Sequence, residues 1–149
     1  ARRAFRIAHI GMIFQEFELL DYLKVRDNML LPFRVNPALT CTREVRDRID
    51  GLAESVKVGG LMNRYPRRLS QGERQRVAIC RALATEPGLI FADEPTGNLD
   101  PKTSDTIVDI ILEQAKERDA TVLMVTHDHS LLKRFDRVVD LDAFLEDGS

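Results

Sequence analysis

Several features that would quickly assign a protein to a class are missing from this sequence of 149 residues. Its two cysteines, Cys41 and Cys80, are far apart and lack the spacing of a metal or redox site, so we expect both to be reduced packing residues. No apolar run approaches the roughly 20 residues that span a bilayer, and no basic-then-apolar signal peptide opens the sequence. The net charge of −2 gives no support for a nucleic-acid partner. Together these absences predict a soluble, cytosolic chain and leave its chemistry open.

What the sequence does contain is an alternation of short apolar runs with amphipathic stretches. The apolar runs at 7–14, 89–92 and 121–125 are short enough to be buried strands. Strands that alternate with helices predict a parallel α/β sheet with right-handed crossovers. Apolar residues at helical spacing predict helices. The remaining expected elements are helices at 26–31, 43–56, 70–84, 101–118 and 129–135 and a last strand at 137–141.

Polar residues suited to nucleotide chemistry stand at the ends of the predicted strands. Asp93 and Glu94 end the run LIFADE, at the edge where parallel sheets bind ligands. One carboxylate there can hold Mg²⁺ while the other polarises a water, although such a run taken alone is more often a strand followed by a solvated acidic turn. Gln15 follows the first strand, where its amide could ligate a metal or orient water. His127 follows the third, where it could donate to a phosphate, although a lone histidine is more often structural.

A further candidate is the segment LSQGE at 69–73. Ser70 followed by Glu73 is a capping box at the start of a helix. A helix that begins with serine and glycine can also receive phosphate oxygens, because its free N–H groups and its dipole both favour an anion. Capping boxes are far more common than phosphate sites, so the segment alone leaves both interpretations open.

Taken in order, these segments resemble the ATP-binding cassette family, the ATP-binding subunits of ABC transporters. Gln15 is similar to the Q-loop glutamine, 69–73 to the signature motif usually written LSGGQ, and 89–93 to Walker B. Glu94 stands in the place of the catalytic carboxylate. The stretch RQRVAICRALATEPGLIFADEPTGNLD matches the family almost without interruption, and the resemblance covers about 7–141.

The remaining motifs narrow the resemblance to one branch of the family. Asn-Leu-Asp at 98–100 is similar to the D-loop and His127 to the switch histidine. ADEPTGNLD, together with IGMIFQEFELLDYLKVRDNMLLP, resembles the lipoprotein-releasing and macrolide-export transporters. The signature departs from its usual form at Gln71, which replaces a glycine near the phosphate, and at Glu73, which replaces glutamine.

The resemblance implies a cofactor, a site and partners. The cofactor is ATP with Mg²⁺: Asp93 and Gln15 would serve the metal, Glu94 would polarise the attacking water, and His127 would hold the γ-phosphate. Two such subunits pair head to tail, which implies a homodimer that works with a membrane permease subunit at the cytoplasmic face of the cell membrane. The residues that would contact the nucleotide across the dimer or couple its two sites are Ser70, Gln71, Gly72, Glu73 and Asp100.

One motif of the family is absent from the sequence. None of the eight glycines is followed by lysine, so there is no P-loop of the form GxxxxGK[ST]. In the family this motif lies upstream of the Q-loop. We therefore expect a fragment whose P-loop NTPase-like sheet lacks its first strands, which binds Mg-ATP poorly alone, and which exposes apolar surface beside 7–14 and 121–125.

The resemblance also implies how the chain is organised. Residues 1–15 would be the strand that leads to the Q-loop, 16–84 an inserted helical subdomain that includes the signature motif and its helix, and 85–149 the α/β core with Walker B, the D-loop and the switch histidine. The C-terminal hairpin and tail of the family would be cut short.

Three alternatives stay open at the level of sequence. The chain could be an ATPase-inactive interaction fragment, or an ABC ATPase of DNA repair or translation, although it has neither a long coiled-coil insertion nor tandem cassettes. It could also be a generic α/β domain with chance motifs. That last alternative requires Gln15, Asp93 and His127 to lie far apart.

Overall fold

The computed structural model describes residues 2–140. In this part of the chain, three strands form one parallel sheet in which the strands lie side by side in chain order, as the α/β prediction requires. The elements are α1 (Arg2–His9), β1 (Ile10–Phe14), α2 (Val25–Met29), α3 (Leu31–Val35), α4 (Arg43–Ser55), α5 (Gln71–Leu83), β2 (Leu89–Asp93), α6 (Pro101–Glu117) and β3 (Thr121–Val125), with 3₁₀ turns at Gly59–Leu61, Pro66–Arg68 and His129–Arg134.

The register of the sheet brings the ends of all three strands to one edge. Phe14, the last residue of β1, pairs with Asp93, the last residue of β2, and Asp93 pairs with Val125, the last residue of β3. Because the strands are parallel, the residues that follow them leave the sheet at the same side. We call this side the carboxyl edge.

The two faces of the sheet differ in burial. Ile13, Ile90 and Ala92 share one face and are fully buried, where α5 packs against β1 and α6 against β3. The opposite face carries Met12 and Leu123, which are 38% and 53% exposed. The exposed apolar surface predicted beside the first and third strands is therefore present.

A glycine lets α5 approach the sheet closely. A Cβ at Gly11 would lie 2.6 Å from the main-chain oxygen of Ala82 on α5 and 3.0 Å from the Pro87 ring. Any larger residue would force backbone apart, because the first of these neighbours is a main-chain atom. Gly11 therefore sets the distance between β1 and the helix that carries the signature motif.

The regular elements between β1 and α5 are the helices α2, α3 and α4 and two 3₁₀ turns. In α4, Val45, Ile49 and Leu52 face the core, and Thr42 caps the helix by accepting a hydrogen bond from the Val45 N–H. The predicted helix at 26–31 differs from the structure: α2 ends at Met29, and Pro32 lies in the first turn of α3. Proline is favoured there because its missing N–H has no partner in a first turn.

The first predicted strand begins later than the apolar run suggests. Residues 7–9 belong to α1, and β1 starts at Ile10. A short apolar run does not distinguish strand from helix by its period alone. In α1 the rings of Phe5 and His9 lie one turn apart with centroids at 4.4 Å, a spacing that helps a helix.

The last predicted strand, 137–141, is not found in the described residues. Residues 137–140 have no regular secondary structure, and Leu141 lies outside the described part. A strand needs a neighbour to bond its main chain, and no described strand pairs with this segment, so Val138 and Val139 stay about half exposed. The expected C-terminal tail also lies outside the described residues. Within 2–140, no helix is both long and apolar enough for a bilayer crossing.

Candidate active site

The residue after β2 is held in place by its neighbour strand. The Glu94 N–H donates to the main-chain oxygen of Val125 at 2.9 Å, so the pairing of β2 with β3 continues one residue past the strand. Glu94 itself has a φ of 45°, in the left-handed region. Such a backbone is unfavourable for a residue with a side chain, and it turns the chain out of the sheet at this point.

Glu94 and His127 meet at the carboxyl edge. Glu94 Oε1 lies 3.3 Å from His127 Nε2; the Glu94 side chain is 18% exposed, whereas that of His127 is 96% exposed. Oε1 is nevertheless buried without a hydrogen-bond partner, because the two groups are close enough for an ion pair but not aligned for a hydrogen bond. A buried carboxylate oxygen without a donor is a natural acceptor for a water.

Gln15 joins the same edge through the loop after β2. Its Nε2 donates to Asn98 Oδ1 at 3.2 Å, and Asn98 Nδ2 donates back to the main-chain oxygen of Gln15 at 3.3 Å. This reciprocal pair ties the end of β1 to the loop that leads to α6. The sequence places Asn98 in the D-loop segment but gives no sign of its bonds to Gln15, because the two residues are 83 positions apart.

Asp93 is exposed at the end of β2, between the ends of the two other strands. Among residues 2–140, no group of three or more histidine, cysteine, aspartate or glutamate side chains is arranged to hold a metal by itself. Mg²⁺ commonly takes only one or two protein carboxylates and fills its other positions with phosphate and water. Asp93 and the amide of Gln15 fit that kind of site.

The capping box at the start of α5 is present. Ser70 Oγ accepts from the Glu73 N–H at 3.2 Å, and Glu73 Oε2 accepts from the Ser70 N–H at 2.8 Å. The N–H groups of Gln71 and Gly72 lie in the first turn, where a helix offers them no internal acceptor. The capping interpretation is therefore correct, and the same helix start keeps donors for an anion.

The start of α5 also lines a cleft of about 480 Å³, which we call the signature cleft. The start of α6 forms its other wall. A Cβ at Gly72 would lie 2.9 Å from Thr103 Cγ2, so the glycine allows the two helix starts to meet. Two cations, Lys57 and Arg76, belong to the lining, and the sequence motifs do not reveal them. The lining residues are Lys57, Ser70, Gln71, Gly72, Glu73, Arg76, Leu99, Asp100 and Thr103.

Asp100 caps α6 at the signature cleft. Its carboxylate accepts from the Thr103 hydroxyl at 2.5 Å and from the Thr103 N–H at 3.1 Å. These two hydrogen bonds hold the pKa of Asp100 below its ordinary value, and the bond from the Thr103 hydroxyl has the larger effect. Asp100 therefore keeps its charge to a lower pH than an isolated aspartate, and its position is fixed by the helix it starts.

The candidate residues thus form two groups. Gln15, Asp93, Glu94 and His127 lie at the carboxyl edge, so the generic α/β alternative, which needs them far apart, loses its basis. The signature residues and Asp100 line the signature cleft. The two groups are joined through the loop of residues 95–99.

Comparison with known proteins gives a consistent result. The family model described as "ABC transporter" matches residues 1–97. The chain is 38% identical over 144 residues to an uncharacterized ABC transporter ATP-binding protein, YvcR, of Bacillus subtilis, and the match covers 97% of this chain and 53% of that protein. It is 38% identical over 136 residues to the lipoprotein-releasing system ATP-binding protein LolD of Rickettsia bellii, covering 91% of this chain and 61% of LolD.

Solved structures agree with the sequence relatives. A dimeric structure of MJ0796, described as a bacterial ABC transporter cassette, has a TM-score of 0.74 and 34% identity over 88% of this chain and 57% of that one. A dimeric post-hydrolysis state of MJ0796 bound to ADP and Pi has a TM-score of 0.73 and 34% identity, with 87% and 56% covered. The chain thus spans a little over half the length of these relatives.

Proposed function

The chain belongs to the ABC transporter family, and from that premise we propose that it forms part of an ATP-binding subunit that hydrolyses Mg-ATP to drive transport across a membrane. The observation that carries the proposal is the carboxyl edge. There an amide, two carboxylates and an imidazole, from segments far apart in sequence, stand at the ends of three parallel strands. Open parallel sheets bind nucleotides at this edge.

Glu94 is proposed to polarise the attacking water. Its Oε1 is buried and lacks a hydrogen-bond donor, so it has a free acceptor site within a partly dry environment. A carboxylate so placed can take the proton of a water that attacks phosphorus. The Glu94 N–H bond to Val125 fixes the main chain from which the side chain projects.

The other residues of the carboxyl edge are proposed to bind and orient. The oxygens of Asp93 and Gln15 would hold Mg²⁺, whose charge, when bound, offsets that of the phosphoryl oxygens. His127 is exposed and within 3.3 Å of Glu94, so its imidazole can donate to the terminal phosphate beside the water that Glu94 binds. The chain's own contribution is thus to hold the water, the metal and the phosphate in one geometry.

The signature cleft is proposed to act on the ATP of a second subunit. Free N–H groups at the start of α5 and the cations Lys57 and Arg76 suit phosphate oxygens. We propose a head-to-tail homodimer; the related MJ0796 cassette is described as dimeric, which supports the pairing of two subunits. We further propose that the partner is a permease subunit at the cytoplasmic face of a cell membrane, of the kind used in lipoprotein release or macrolide export. Two relatives support this choice. One is LolD; the other is MacB of Rhodopirellula baltica, which is 43% identical over 136 residues and of which the match covers 20%.

The experiment that tests this function replaces Glu94 in the complete protein. Glu94→Gln keeps the shape of the side chain and removes its basicity, so ATP turnover should fall by a factor of about 10² or more, while binding of Mg-ATP persists. Turnover and nucleotide binding are measured by phosphate release and calorimetry.

Glu113→Gln is the matched control, because it makes the same chemical change on an exposed position of α6. Turnover should be unaffected there. Near-normal turnover in Glu94→Gln would remove Glu94 from the proposed role.

A further inference from the structure

One buried amide on α5 touches both loops that carry the proposed catalytic groups. Gln75 is fully buried, and its Nε2 donates to the main-chain oxygen of Phe14 at 3.3 Å and to that of Pro95 at 2.5 Å. Phe14 directly precedes Gln15, and Pro95 directly follows Glu94. The two strands thus end against a single side chain from the helix that packs over them.

The orientation of this amide follows from its surroundings. If the amide were flipped, Gln75 Oε1 would face two carbonyl oxygens and be repelled by both. In the observed orientation, Oε1 is buried without a hydrogen-bond partner, which is unfavourable and which an apolar side chain of the same size would avoid. The advantage of an amide over an apolar side chain at this position therefore lies in the two hydrogen bonds that the amide donates.

A second side chain of α5 holds the chain on the far side of Gln15. Arg81 donates from its two terminal nitrogens to the main-chain oxygens of Glu18 and Phe17. Both acceptor residues have left-handed backbones, with φ of 51° and 63°, a conformation that needs support in residues other than glycine. Gln75 and Arg81 thus donate hydrogen bonds to the main chain on both sides of Gln15.

The same helix starts at the signature cleft. Ser70 caps α5, and Gln75 follows five residues later, which corresponds to about 8 Å along the helix axis. A helix transmits a displacement of its first turn to the rest of its length as a nearly rigid rod. Gln75 is therefore placed to carry a change at the signature motif to the ends of β1 and β2.

We propose that Gln75 is a positioning residue that couples the signature motif to Gln15 and Glu94. The proposal rests on the function proposed above for the carboxyl edge. Gln75 contacts neither nucleotide nor metal; it fixes the main chain on which Gln15 and Glu94 stand. Engagement of the signature cleft by the second subunit's nucleotide then adjusts both groups together.

The test is a set of double-mutant cycles in the complete protein. Gln75→Met keeps the length of the side chain and removes both donated bonds, so kcat for ATP should fall about ten- to hundredfold, as expected for a catalytic group misplaced by about 1 Å. KM for ATP should change little. Combined with Glu94→Gln or Gln15→Ala, the same substitution should have a much smaller further effect, because the group it positions is already gone.

Cys80→Ala is the control for a merely structural role, because Cys80 is equally buried on the same helix as Gln75. Cys80→Ala should lower the unfolding temperature while kcat per folded molecule stays unchanged. Gln75→Glu supplies a conservative partial rescue: the buried carboxyl group is held neutral and keeps one donor, so kcat should lie between those of the original protein and Gln75→Met. If Gln75→Met does not fold, cycles with Gln75→Glu decide in the same way.

Two results would overturn the proposal. One is a kcat for the Gln75 variants equal to that of Cys80→Ala. The other is that the Gln75 substitution lowers kcat by the same factor in both the Glu94→Gln and the Gln15→Ala background as it does in the original protein. If Glu94→Gln alone leaves turnover normal, the proposed role of Glu94 fails, and the cycle with Gln15→Ala still tests the coupling.

Discussion

At the scale of single residues, unfavourable backbone conformations gather around the candidate site. Left-handed residues other than glycine follow Gln15, come directly after β2 and line the signature cleft. Each such residue costs on the order of 1–3 kcal/mol and persists only where its surroundings hold it. Arg81 bonds two of them and β3 bonds a third. Those at the site are Phe17, Glu18, Lys57 and Glu94; the other two described are Glu86 and Asp119.

Ser70 is expected to have two separable roles, one in stability and one in binding. Ser70→Ala removes the oxygen that accepts from Glu73 N–H, so the free energy of unfolding should fall by about 1 kcal/mol. Ser70→Asp keeps an N-cap acceptor and should retain most of that stability. Urea unfolding without nucleotide measures both variants.

The same pair separates the roles in turnover. In the complete protein, ATPase activity should fall in Ser70→Asp as it does in Ser70→Ala, although Ser70→Asp stays stable, because its carboxylate repels phosphate in the signature cleft. A stable Ser70→Asp variant with full activity would exclude Ser70 from nucleotide contact.

At the scale of elements, the starts of α5 and α6 build the signature cleft together. Both helices begin with a side-chain cap, Ser70 in one and Asp100 in the other. Gly72 faces Thr103, the residue that bonds Asp100, so the two caps are neighbours. Local capping rules thus also decide where the cleft lies.

The cap of α6 makes stability sensitive to acid. The folded-state pKa of Asp100 is lowered by the Thr103 hydroxyl and main chain, whereas the unfolded value is about 3.9. A lowered pKa means that the contribution is present above about pH 4 and is lost as the pH falls through the folded-state value.

Asp100→Asn should therefore change little at neutral pH, since asparagine is also a good cap, and should weaken the acid dependence of the free energy of unfolding below about pH 4. Urea unfolding at a series of pH values measures this. An unchanged acid dependence would mean that Asp100 does not titrate differently in the folded state.

At the scale of the whole molecule, the two faces of the sheet differ in how far the described residues bury them. The helices α5 and α6 pack on the face that carries Ile90, which is fully buried, while Leu123 on the other face is 53% exposed. Hydrophobic stabilisation follows the area removed from water, so equivalent apolar residues on the two faces contribute differently.

Ile90→Ala should lower the free energy of unfolding of this chain by about 2–5 kcal/mol, because it leaves a cavity in the core. Leu123→Ala should change it by only about 0.5 kcal/mol. Denaturant unfolding of the two variants makes the comparison. A large loss in Leu123→Ala would show that something covers that face in solution.

The sequence by itself determined what depends on neighbours within a few positions. The capping box of Ser70 and Glu73 needs only residues three apart, and the carboxylates Asp93 and Glu94 directly follow the apolar residues 89–92, which form most of β2. Helices such as α4 are predicted by apolar residues that recur along one face of the helix. These features are local, so short stretches of the sequence determine them.

Only the tertiary structure decided what depends on distant partners. Residues 7–9 became helix, and 137–140 pair with no strand among residues 2–140, because pairing is settled between segments far apart in sequence. The bonds of Gln15 to Asn98 and of Gln75 to Phe14 and Pro95 also join distant segments. A glutamine in a helix is an ordinary residue until the fold brings two strand ends against it.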